Sequence, residues 1–387
     1  MPERLRIVLA GGLAAIPYAG VAWQVLHHLE GLRRLGHHVA YVEDTERWPY
    51  DPVRETVCDD AASAVAYLAG LLERYGFERW AYRDVASGTV YGAGAQWLRD
   101  ELAGADVLIN LSAVTVLREQ HLAVPVRVYL ETDPVLAQIE VAQGRTQTIE
   151  LLGAHTHHFT YGSNFGAADC GVPIDRFDYR PTRPPVILDW WDRHDRGAPP
   201  SGAPFTTIAS WRQQEKDIEL DGELLTWSKD EQFLALGDLP RRSPVPLELA
   251  LALDDAGTLA DLHARGWRTR PARDLSYDID AYRDYMSDSA GEFSVAKAQN
   301  IRLRSGWFSD RTATYLAAGR PAVVQDTGFA AALPVGEGLL AFATADQALE
   351  QLEQVTRDYR HHADAALTLA REHLRAEDVL GALLDAL

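Results

Sequence analysis

Ser305–Phe329 reads SGWFSDRTATYLAAGRPAVVQDTGF, which parses as loop, helix, turn, strand, loop. Ser309 and Asp310 are favourable cap residues for a helix beginning near Arg311, and Ala313, Leu316 and Ala317 give that helix an apolar side. Gly319 stops the helix and Pro321 prevents its return. Ala322-Val323-Val324 is then a short buried strand, with Gln325-Asp326-Thr327-Gly328 as its C-terminal loop. A helix N terminus carries free N–H groups and partial positive charge, so it accommodates a phosphate. A polar loop after a parallel strand is where an open α/β sheet places its ligand. The same helix–turn–strand run is also an ordinary connection in any α/β domain, so spacing alone supports either use.

Working outward, strands and helices alternate. Leu5–Ala10 predicts a first strand, Gly11-Gly12 a loop, Val21–Leu35 a helix and Val39–Val42 a second strand ending in Glu43-Asp44. This is a β-loop-α-β unit of the Rossmann kind, but it lacks G-x-G-x-x-G, which disfavours a dinucleotide cofactor. Thr56–Tyr75 predicts a helix; Ala105–Asn110, Arg127–Leu130 and His158–Tyr161 predict strands. The stiff Pro181-Thr182-Arg183-Pro184-Pro185 segment is the clearest linker. Beyond it, Phe205–Ser210, Leu247–Leu253, Glu292–Ala296 and Leu339–Phe342 predict strands among helices, and Ala345–His361 and Ala363–Leu387 are helical by period. The expected fold is α/β, with two Rossmann-like domains facing across a cleft. The expected boundaries are 1–182, 183–365 and a C-terminal helix at 366–387.

Gly11, Gly12, Asp44, Glu131 and Asp133 each follow a predicted strand and are expected on the N-terminal wall of that cleft. Glu131 and Asp133 are placed to act as catalytic carboxylates on an acceptor hydroxyl. The alternatives are a solvated loop, or an N-cap at Asp133 with Pro134 at the first helical position. His155, His157 and His158 have no adjoining Cys or carboxylate motif, so no metal site is expected.

At 387 residues, two domains are the prior, and 47% hydrophobic content indicates a globular chain. The net charge of −19 argues against nucleic acid or an anionic membrane surface as main partner. Cys58 and Cys170 are too few and too far apart for a disulfide scaffold. The opening MPERLRIVLAGGL lacks the apolar core of a signal peptide, and no run is long enough to span a bilayer. A cytoplasmic protein is expected; its oligomeric state is left open.

The Ser305–Phe329 stretch resembles the nucleotide-sugar-binding element of GT-B glycosyltransferases, in which an A-(A/S)-G-x-P turn, here Ala317-Ala318-Gly319-Arg320-Pro321, leads to a strand near the nucleotide. GEFSVAK (Gly291–Lys297), GWFSDR (Gly306–Arg311) and QDTGF (Gln325–Phe329) further resemble a group of bacterial GT-B-like proteins known only by the broad name glycosyltransferase. The resemblance implies a nucleotide-sugar co-substrate, no cofactor, no metal, and a small-molecule acceptor such as a natural product. It also implies a C-terminal helix packed back on the N-terminal domain. The diphosphate is then expected at Ser309, Asp310 and Arg311 with Lys297 close by and Lys229 as a further cation. Gly306 would permit close approach of the backbone, and Asp326, Thr327 and Gly328 would line the pocket. Asp310 has the wrong sign for phosphate and is expected to cap the helix or orient a cation or sugar hydroxyl. Many of the larger GT-B families carry Glu where this chain has Thr314, so either another carboxylate such as Glu292 or Asp326 replaces it at the ribose or the nucleotide sits differently. A GT-B-shaped epimerase and a non-catalytic partner protein are the rival readings.

Overall fold

Apolar, β-branched strands that are buried on both faces favour parallel sheets covered by helices, and two such sheets form. The computed structural model describes residues 4–192, 199 and 202–387. In the first half the strands are β1 (Arg6–Ala10), β2 (His38–Glu43), β3 (Trp80–Arg83), β4 (Val90–Gly92), β5 (Val107–Leu111), β6 (Val126–Glu131), β7 (His157–Thr160) and β8 (Tyr179–Pro181). Their order is β8-β7-β6-β5-β1-β2-β3-β4, parallel except for β4. The second sheet contains β9 (Phe205–Ser210), β10 (Leu247–Ala252), β11 (Arg268–Pro271), β12 (Gly291–Ser294), β13 (Ala322–Gln325) and β14 (Leu339–Phe342). It is parallel throughout, in the order β11-β10-β9-β12-β13-β14.

The second order reverses between β9 and β12, so the crevice for a ligand lies beyond the C-terminal ends of those two strands. The Asp310–Ala317 helix begins at that crevice.

The chain crosses between the halves twice, and the crossings are bonded together. Val186 N–H donates to Leu374 O at 2.7 Å, and Ala376 N–H donates to Val186 O at 2.9 Å. The final helix, Ala376–Asp385, packs on the Ala19–Arg34 helix of the first half. Gly31 makes that seating possible, since a Cβ there would lie 2.6 Å from Leu380 Cδ1. Leu26, Leu29, Met286, Leu374 and Leu380 therefore share one buried core across both halves.

Two expectations change in detail. Thr56-Val57 does not start a helix but pairs with Tyr50-Asp51 in a small antiparallel hairpin, and the helix runs Ala62–Arg74. Asp60 Oδ1 accepts from Ala62 N at 3.0 Å and so fixes the later start. The C-terminal helical tract is three helices, Ala345–Arg357, Tyr359–His373 and Ala376–Asp385. Among the described residues no helix is long and apolar enough to cross a membrane.

Candidate active site

Ser309 caps the Asp310–Ala317 helix with an extended backbone, its Oγ accepting from Arg311 N at 3.2 Å. Arg311 turns under the helix and fills the gap between β9 and β12. Its Nε donates to Glu292 Oε1 at 2.8 Å, Nη2 to Ser294 Oγ at 2.8 Å, and Nη1 to Ile208 O. Glu292 is fully buried, its Oε1 taken by this guanidinium and its Oε2 without a hydrogen-bond partner among the described residues. A cavity of about 950 Å³ opens between the halves, with Ser309, Asp310 and Arg311 at its wall together with Ile208, Ser210, Gln24 and Trp23.

The lysines gather about two tryptophans, Trp227 and Trp307. Lys297 Nζ pairs with Asp133 Oδ2 from the other half and lies 3.5 Å from the Trp227 ring centroid. Burial lowers the Lys297 ammonium to about 8, against the upward pull of Asp133. Lys216 Nζ stands 4.8 Å from the same ring centroid. Lys229 is 7% exposed, and its Nζ lies 5.8 Å from the Trp307 ring centroid. Among the described residues no carboxylate hydrogen-bonds that ammonium. Burial, then the charges of Arg311 and Lys297, hold Lys229 well below the usual lysine range. Neither Lys229 nor Lys297 lines the large cavity.

Asp310 links the halves. Its Oδ2 accepts from Gln24 Nε2 at 3.0 Å, and the buried Tyr161 hydroxyl stands nearby without a hydrogen bond to it. Burial raises its carboxyl to about 7 despite the Gln24 bond. Asp133 Oδ1 is buried without a hydrogen-bond partner among the described residues. Trp307 Nε1 donates to Thr132 O at 3.1 Å, which fixes the strand end carrying Asp133 against the Gly306 loop.

Several predicted residues are engaged elsewhere. Glu131 is 2% exposed and accepts from Tyr129 Oη at 3.0 Å, Gln138 Nε2 at 2.9 and 3.0 Å and Thr160 Oγ1 at 2.7 Å. Burial raises it to about 7, and with its oxygens filled from within the first half it cannot pair with Asp133 on an acceptor. Asp44 is likewise enclosed, by Arg83, Arg118, His121 and Gln120. Burial alone would raise its pKa, but His121, Arg118 and Arg83 pull it well below the usual carboxylate range. Gly11 and Gly12 do not line the cavity; a Cβ on Gly11 would meet the Tyr41 ring at 2.8 Å. Their loop is held by Glu43, which sequence reading passed over and which accepts from Ala14 N at 2.8 Å and Ala15 N at 2.9 Å.

The close backbone approach at Gly306 is made by the other half rather than by a ligand. At φ +79°, a Cβ there would sit 2.3 Å from Asn164 N. Asp326 faces Arg304 at 3.2 Å, Thr327 O accepts from Gly306 N at 2.7 Å, and Gly328 N donates to Asp326 Oδ1 at 2.8 Å. Thr327 borders a void of about 20 Å³ shared with Ser309 and Arg311, and Asp326 is half-buried. His155 is buried against Asn110, with its Nε2 3.1 Å from Asn110 Nδ2, and the His158 ring packs 4.7 Å from Phe177. Among the described residues no cluster of His, Cys, Asp and Glu is arranged to hold a metal ion.

No family profile and no curated protein sequence matches the chain. Solved structures do. HepE from Anabaena, in complex with UDP and glucose, aligns over 99% of this chain and 100% of its own at TM-score 0.56 and 12% identity. An alpha-glucosyltransferase in complex with UDP and a 13-mer DNA aligns over 99% of both chains at TM-score 0.53 and 11% identity. A glycosyltransferase from Rickettsia africae aligns over 99% and 98% at TM-score 0.53 and 8% identity. The chain has the GT-B fold, two Rossmann-like domains facing across a cleft. One inference from composition does not hold. Acidity does not rule out nucleic acid, because a protein of this fold forms a complex with DNA. Net charge sums the whole surface, whereas a nucleic acid meets only the local field around a site.

Proposed function

We propose that the chain is a nucleotide-sugar-dependent glycosyltransferase that works without a resident cofactor or metal, and that its acceptor is a hydroxyl-bearing molecule in the cleft. The observation that carries this reading is Lys229, a buried lysine whose side chain pairs with no carboxylate among the described residues, beside Lys297 and Arg311. A buried unpaired charge is costly, and a diphosphate supplies the missing anion. Arg311, held rigid by Glu292 and Ser294, is pre-set to face it. Lys297 exchanges Asp133 for phosphate when the donor arrives, and Asp133 is released toward the acceptor. The acceptor oxygen then bonds to the anomeric carbon as the bond to the diphosphate breaks, and Asp133 takes the hydroxyl proton. The cations balance the charge that develops on the leaving group. UDP is the donor nucleotide to test first, since HepE binds UDP-glucose.

A thermal-shift screen with UDP, GDP, ADP and dTDP sugars, with and without EDTA, tests the reading. The expected result is stabilisation by one nucleotide class, unchanged by EDTA, followed by net release of that nucleoside diphosphate when acceptor is added. No shift with any nucleotide overturns it. Binding without net release on a broad acceptor panel supports an epimerase instead.

A further inference from the structure

The cavity has two chemically different ends. One is the Asp310–Ala317 helix start with Arg311. At the other, Tyr18 and Tyr50 from the first half meet Tyr277 from the second. The Tyr18 ring centroid lies 5.9 Å from Tyr50 and 5.5 Å from Tyr277, and Tyr50 and Tyr277 are 6.3 Å apart at 19°. Their hydroxyls are 3.2 Å apart, which holds the Tyr50–Tyr277 contact across the halves. Tyr18 remains 38% exposed, so its ring is open to a visitor.

We propose that this tyrosine end is the acceptor subsite, and that it takes an acceptor whose hydroxyl is carried on a flat aromatic ring. The proposal rests on the transferase reading and gives its acceptor a chemical class. Three observations carry it. The tyrosine faces offer offset and edge stacking, which a planar ring satisfies and an aliphatic one does not. The charged groups on the same wall are Glu55, Asp254, Asp255 and Arg273, and Arg273 is already paired with Glu55 at 3.4 Å. That leaves this end acidic, so the anionic donor is directed to Arg311 and a neutral ring to the tyrosines. The cavity, at about 950 Å³, is near the upper end of ligand pockets, so an acceptor at the tyrosines leaves room at Arg311 for the donor's sugar, with Asp133, Lys229 and Lys297 lying beyond its wall. The subsite needs both halves, so it is complete only when the cleft is closed.

Umbelliferone, a flat fluorescent phenol, is titrated into the full chain at saturating UDP, for wild type, Tyr18→Leu, Tyr277→Leu and Tyr277→Phe. UDP affinity is measured alongside, and circular dichroism checks folding. The leucine variants are expected to weaken umbelliferone roughly ten-fold, the phenylalanine variant to stay near wild type, and UDP affinity to hold throughout. Umbelliferone that binds all variants equally, or none while UDP still binds, overturns the subsite and leaves the transferase reading standing. Loss of UDP affinity with umbelliferone unaffected assigns the tyrosines to the nucleobase and also overturns it. A short DNA duplex that displaces umbelliferone and accepts the sugar replaces the small aromatic acceptor with an extruded base. Failure of wild type to bind UDP is a separate result, and it sinks the reading beneath.

Discussion

Asp133 is the residue at which the two halves contend for one cation. Its ion pair with Lys297 bridges the two halves, and in the proposed mechanism a diphosphate displaces it. Asp133→Asn therefore has opposite effects on two measurements. Transfer falls by about 10²–10⁴ if Asp133 is the base. UDP affinity does not fall, and it rises about three- to ten-fold, because a competing ion pair worth on the order of 1 kcal/mol is gone. Turnover kinetics and calorimetry on the same variant check both, and unchanged turnover removes Asp133 from the mechanism. The sequence marks Asp133 and Lys297 separately, each just past a strand. It does not mark that they touch, because no local signal says which loops of two domains face each other. Lys229 is concealed in a different way. Trp227-Ser228-Lys229-Asp230 reads as a helix start, and only the packed loop reveals that the lysine is buried with no carboxylate paired to it among the described residues. Glu131 and Asp44 look alike in sequence to Asp133, yet their oxygens are taken by partners that include residues distant along the chain, Thr160 for Glu131 and Arg83 and Arg118 for Asp44.

At the scale of elements, the strands with apolar runs are legible and the edges are not. The edge strands β4 and β11 read VYG and RTRP, three and four half-exposed residues with no periodic signal to set them apart from loops, and their neighbour β3, WAYR, is only four residues long. The central strands β1, β5, β9 and β13 are buried on both faces and carry the composition that announces it. The seating of the last helix depends on one glycine. Gly31→Val puts methyl groups where Leu380 and Ala376 already lie, at 2.6 and 2.9 Å from a Cβ. Overpacking of this kind costs about 1–3 kcal/mol. Chemical denaturation should show that loss, and Leu380→Ala added to Gly31→Val should recover part of it. A stability unchanged by Gly31→Val would mean the final helix does not bear on the first half as described.

At the scale of the molecule, two paired crossings and a shared core join the halves, while the ion pairs across the cleft are mostly half-exposed. Arg74 and Asp280 are bonded at 2.7 and 2.9 Å, and Arg273 and Glu55 at 3.4 Å. Exposed pairs contribute little, so the cleft's charge chemistry is free to answer a ligand. Lys229 is where that answer is read. Its ammonium is held below the usual range, and a bound diphosphate raises it again, so binding takes up a proton and affinity falls as pH rises. The most direct test is calorimetric titration of UDP into wild type and Lys229→Met, in buffers of different ionisation enthalpy and at two pH values. The account predicts UDP binding with proton uptake in wild type. In the variant it predicts affinity lower by roughly ten- to a hundred-fold, with that uptake diminished. Equal affinity and equal proton uptake in a folded Lys229→Met chain would contradict it and put the diphosphate elsewhere.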